Sequence, residues 1–134
     1  MAIEQPSSKT KDLRSFQARA FDWMLACFKR PDSLTPEQRS FRFLEEALEL
    51  AQAVGTTREE ALKLVDYVYS RPIGQVGQEI GGVMVTLAGV ATVCAELVNS
   101  CAEDELARCI ANTAKIRMKD LNKPERSPLP GATA

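Results

Sequence analysis

Gln78 to Leu97 reads QEIGGVMVTLAGVATVCAEL, and how this stretch is read decides the fold. No charged residue occurs from Ile80 to Ala95, while Glu79 stands at the head of the run beside Gly81 and Gly82. Three readings compete: a membrane span, a strand, or a buried helix that keeps one carboxylate. The uncharged run is shorter than the ~20 residues a span needs, and charges close both of its ends. A strand is disfavoured by length, and the rest of the chain offers no pairing partner. A helix apolar all round belongs at the centre of a bundle. Gly81, Gly82 and Gly89 each weaken it by ~1 kcal/mol relative to alanine, which close helix approach or room for a ligand would offset.

Working outward, the pattern is helical almost throughout. Between about Lys9 and Phe28, Leu13, Phe16, Ala20, Trp23, Met24 and Cys27 recur at helical spacing and define one core-facing stripe, closed by Pro31. Thr35 followed by Pro36 signals the start of a second helix, which runs to about Val54 and stops at Gly55. Thr57 and Glu60 form a capping box for a shorter third helix, ended by Arg71-Pro72 and Gly74. A last helix is expected from about Glu103 to Asn122. The expected fold is all-α: a four-helix bundle with one additional short helix. Residues 1–123 form the helical domain, and the Pro-rich 124–134 an extended or disordered tail.

The 134 residues suit one domain. With 45% hydrophobic and 26% charged residues and a net charge of −1, neither a nucleic-acid polymer nor an anionic membrane is an expected partner. The first residues lack the apolar core of a signal peptide, so a cytoplasmic location is expected. There is no histidine, which removes His-ligated zinc, a Ser-His-Asp triad and a Cys-His dyad within this chain. Cys27, Cys94, Cys101 and Cys109 show no CxxC spacing and read as small, reduced core residues. Any metal would be a hard cation on carboxylate oxygens, Mg²⁺ or Mn²⁺.

The acids cluster on the second helix, RFLEEALELAQA. Glu45 and Glu49 lie about 40° apart on the helical wheel and Glu46 about 100° from Glu45, beside the apolar arc of Leu44, Ala47, Leu48, Ala51 and Val54. Carboxylates so close repel one another, and a divalent cation would turn repulsion into binding. The bland reading is a solvated face, and for Glu79 a first-turn acid favoured by the helix dipole. On the last helix Arg108, Asn112, Lys115 and Lys119 share one face, with Arg117 off it, a row of donors that could serve phosphate oxygens or simply face solvent.

These elements resemble the MazG-like all-α nucleoside triphosphate pyrophosphohydrolases. Glu45-Glu46-Ala47-Leu48-Glu49 matches the family's EExxE, Glu79-Ile80-Gly81-Gly82 its ExxD with Gly82 in the Asp position, and ANTAKIRMK its Asn/Lys segment. FQARAFDWMLACF and SPLPG look like a phage and proteobacterial branch. The resemblance implies the family fold and hydrolysis of a nucleoside triphosphate to the monophosphate and pyrophosphate, with Mg²⁺ and a house-cleaning role on dNTPs. It implies Glu46, Glu49 and Glu79 as metal ligands; for the missing Asp three outcomes stay open: water fills the position, another acid serves, with Asp66 the best candidate, or the site is weak or inactive. Glu45 would activate water; Asn112 and Lys115 would contact the nucleotide, with Arg108 and Lys119 beside them. Phe16, Trp23, Phe41 and Phe43 could supply a base pocket. A homodimer or homotetramer is expected. Two alternatives stay open: a catalytically weak nucleotide-binding protein, or a plain helical oligomerisation module on the same scaffold.

Overall fold

A computed structural model describes residues 12–124 and 126–131. It is all-α, with six helices and no strand among the described residues: α1 (Phe16–Cys27), α2 (Pro36–Val54), α3 (Arg58–Tyr69), α4 (Val76–Val93), α5 (Val98–Ala111) and α6 (Thr113–Leu121).

Local sequence signals account for most of the boundaries. Ser15 caps α1 by accepting the Ala18 amide, so α1 starts at Phe16, and residues 12–15, which the apolar spacing placed inside it, are not helical. Leu13 lies outside the helix and is exposed, and the expected helix start at Lys9 falls outside the described residues. Thr35 caps α2 with Pro36 in its first turn, and Gly55 ends it at φ 114°, a conformation that favours glycine. At α3 the capping box is complete: Thr57 accepts the Glu60 amide, and the Glu60 carboxylate accepts the Thr57 amide.

The expected last helix begins earlier, at Val98, and is interrupted at Asn112. Asn112 Nδ2 donates back to the Arg108 carbonyl at 2.8 Å, and the Thr113 hydroxyl donates to the carbonyls of Ile110 and Cys109 at 2.7 and 3.3 Å. Side chains that bond the preceding turn compete with the backbone ladder and bend or break a helix.

α1 packs on α5 and α6, α5 on α6, and α4 on α5. The enclosed part of the molecule lies where the end of α1, the start of α2 and the end of α6 meet. Cys27 and Ser33 are fully buried there, with Gln38, Asp120 and Lys123 close to it. Arg117 donates to the carbonyls of Ala26 and Cys27, and Arg39 lies over the Phe28 ring at 4.4 Å. Buried Gly131 brings the tail back onto this end, against the Lys119 carbonyl.

Two expectations are revised. α4 is not interior within one chain: none of its residues is buried, and only Val83, Leu87, Val90 and Ala91 are half-covered. Among the described residues α4 packs substantially on α5 alone, which leaves its other apolar side chains exposed. By length and composition α4 also qualifies to cross a membrane. Of the four cysteines, all free, Cys27 alone is buried; Cys94 and Cys101 are exposed.

Candidate acidic site on the second helix

An uninterrupted helix through Glu45, Glu46 and Glu49 sets the spacing of the acids, so their positions follow from α2 itself. Each then meets a different environment. Glu45 is half-buried and held by the Arg42 guanidinium one turn earlier, which also donates to the Pro128 carbonyl of the tail. Glu49 and Glu45 line a groove of about 590 Å³ between α2 and α3, with Phe41, Leu44, Leu48, Leu62 and Val65, closed at one side by Pro128–Pro130.

Glu46 faces the other way, toward α5. It keeps much of its surface in solvent, yet its pKa is raised. Desolvation is the largest cause, followed by the charges of Glu49, Glu105 and Glu45, with Arg108 opposing. Glu105 is an acid that sequence spacing missed: it lies 59 residues further on, and only the packing of α5 brings it near. Glu105 itself pairs with Arg108 at 2.8 Å, which holds its own carboxyl below the usual range.

The remaining candidates stand apart from this group. Glu79 lies in the first turn of α4, its carboxylate folded back against Gly74. Asp66 is exposed on α3. Gly82, in the position of the family Asp, has open space where a Cβ would stand. Among the described residues no three acids or cysteines gather closely enough to hold a metal ion.

The cationic row is divided by the break at Asn112. Arg108 is committed to Glu105, and the Asn112 amide to the Arg108 carbonyl. Lys115 is exposed and Lys119 half-buried on α6. Trp23 spends its polar edge inside the fold: its indole N–H donates to the Thr113 hydroxyl at 3.0 Å, and its ring meets Phe28 edge-on at 5.6 Å. Phe16 and Phe43 are exposed; Phe41 is half-buried in the groove wall.

No family model, curated protein or solved structure matches this chain.

Proposed function

We propose that the chain is a Mg²⁺- or Mn²⁺-dependent nucleoside triphosphate pyrophosphohydrolase on a MazG-like four-helix scaffold, releasing a nucleoside monophosphate and pyrophosphate. What supports the reading is the placing of Glu45, Glu46 and Glu49 within two turns of one unbroken helix, where desolvation and then the charges of Glu49, Glu105 and Glu45 push the pKa of Glu46 up. Perturbed acids of this kind cluster at functional sites. A carboxylate with a raised pKa is also a better proton acceptor than an ordinary one.

In this reading Glu46 takes the proton of a water that attacks the α-phosphorus. The bond from that phosphorus to the bridging oxygen breaks, and pyrophosphate leaves with the electron pair. Glu45 is held in place by Arg42, and so suits orientation of the water better than proton transfer. Lys115 and Lys119 are the cations on α6 left to meet phosphate oxygens.

A catalytically weak nucleotide-binding protein is the second reading, favoured by Gly82, which offers no ligand. A panel of canonical, deoxy and modified triphosphates with Mg²⁺ or Mn²⁺, assayed for pyrophosphate, separates the two. Turnover that falls roughly a hundredfold in Glu46→Gln, with the fold intact, supports the enzyme. Wild-type turnover in that variant removes the assignment, and binding without turnover selects the second reading.

A further inference from the structure

We propose that Ser127–Gly131 is a movable strap along the α2–α3 groove, and that Arg42 makes the seating of this strap and the fixing of Glu45 a single event. The coupling stands on geometry alone; its role as regulation of the acidic site rests on the hydrolase reading above.

The chemistry of the strap requires a donor from outside it. Pro128 and Pro130 have no amide N–H. The amides of Ser127 and Leu129 are satisfied nearby, by the Pro124 carbonyl at 3.3 Å and the Ser127 hydroxyl at 3.1 Å. What the strap presents to α2 is the Pro128 carbonyl, and Arg42 donates to it. The other arm of the same guanidinium holds the Glu45 carboxylate. A guanidinium is a rigid planar fork, so the partner at one arm sets the direction of the other. Arg42 has little slack besides. Among the described residues its Nε is buried without a hydrogen-bond partner, so losing either acceptor leaves more of a desolvated cation unpaired.

The strap is poised rather than locked. Pro128, Leu129 and Pro130 line one side of the groove, yet Leu129 remains 68% exposed. The strap borders the groove without filling it. At its root Arg126 is held at φ 56°, a left-handed conformation that costs any residue with a side chain. Lifting the strap lets that residue relax. At the far end, buried Gly131 rests against the Lys119 carbonyl, where no Cβ fits. Two anchors thus hold the strap against a strained root, and one of them, Arg42, leads to Glu45. By reciprocity, whatever fixes Glu45 seats the strap, and whatever lifts the strap loosens Glu45.

The test is tryptic cleavage of the full native chain between Arg126 and Ser127, followed by mass spectrometry, with helicity recorded by circular dichroism. Cleavage needs the strap to open, and its rate follows the population of the open form. Arg42→Lys keeps the charge but gives up the fork, and should be cut roughly tenfold faster. Glu45→Gln leaves both Arg42 and the strap as they are, and should be cut roughly threefold faster. Glu49→Gln removes a charge from the same groove without touching the bridge, and should be cut at the wild-type rate. All three leave the residues around the cut bond unchanged, so the rates compare directly. If Arg42→Lys loses its helicity, Glu45→Gln decides alone. Wild-type cleavage of Glu45→Gln overturns the coupling. So does equal acceleration in Glu49→Gln, or a wild-type chain cut as fast as a synthetic peptide of residues 121–131. Pyrophosphate release with the triphosphate panel separates this proposal from the hydrolase reading. Arg42→Lys should lower kcat roughly tenfold with KM little changed. Turnover in no protein, with the cleavage pattern intact, removes the hydrolase reading and leaves the coupling standing. Wild-type kcat in an Arg42→Lys chain that is cut faster overturns the regulatory role.

Discussion

The Ser33 hydroxyl donates to the Asp120 carboxylate at 2.6 Å, joining the start of α2 to the end of α6 across 87 residues of chain. Both side chains are buried. Lys123 lies 3.9 Å from the same carboxylate and also donates to Gln38 Oε1, while Arg30 donates to the carbonyls of Asp120 and Lys123. This cluster ties the turn before α2, and Gln38 in its first turn, to the end of α6. A buried charge without its partner costs far more than the pair contributes. Asp120→Ala should therefore lower stability by about 3 kcal/mol in urea unfolding. Asp120→Asn, which keeps an acceptor for Ser33, should cost less.

Glu46 makes stability depend on pH. Its folded pKa lies above the ordinary 4.5, so in that window the folded chain holds more protons than the unfolded one. The contribution of this group is full below 4.5 and is lost as pH rises through the raised value. Glu46→Gln should flatten this slope and add about 0.5 kcal/mol at neutral pH by relieving like-charge repulsion. Urea midpoints for both proteins, measured from acid to neutral pH, check the sign; a parallel pair of curves would contradict it.

Trp23 is the single tryptophan, so its fluorescence reports the docking of α1 on α6. Thr113→Val removes the hydroxyl that accepts the indole N–H and also bonds back to Ile110. A loss of about 1 kcal/mol is expected, with a change in the emission maximum. Unchanged emission would mean that the indole finds another acceptor.

Gly131 sits where a Cβ would overlap the Lys119 carbonyl oxygen. Gly131→Ala should therefore lift the tail from α6. Tryptic cleavage after exposed Arg126 should accelerate roughly tenfold, as local opening becomes easier. An unaltered cleavage rate would show that the tail accommodates the methyl.

The helical class and the limits of α2 and α3 were legible in the sequence because they rest on short-range chemistry. Thr35-Pro36, Gly55 and the Thr57–Glu60 box act within one or two turns. The break at Asn112 was not legible: asparagine and threonine are tolerated inside helices, and their back-bonding to Arg108 and Ile110 leaves no periodic trace. The expectation that α4 is interior failed for a different reason. Hydropathy states that a surface must be covered, not which chain covers it. At the acidic site, spacing alone placed Glu45, Glu46 and Glu49 together on α2. The charge of Glu105, 59 residues beyond Glu46, and the Thr113 acceptor of Trp23, 90 residues beyond it, left no trace in local spacing, although the apolar stripe had already placed Trp23 toward the core.

The first helix of this chain is held chiefly by groups from its last third: Glu103 for Arg19, Thr113 for Trp23, and Arg117 for the carbonyls of Ala26 and Cys27. During synthesis those groups follow α1 by more than 80 residues. α1 must wait for these groups before it can settle, so a nascent chain stalled ahead of Thr113 has α1 exposed to proteases and chaperones.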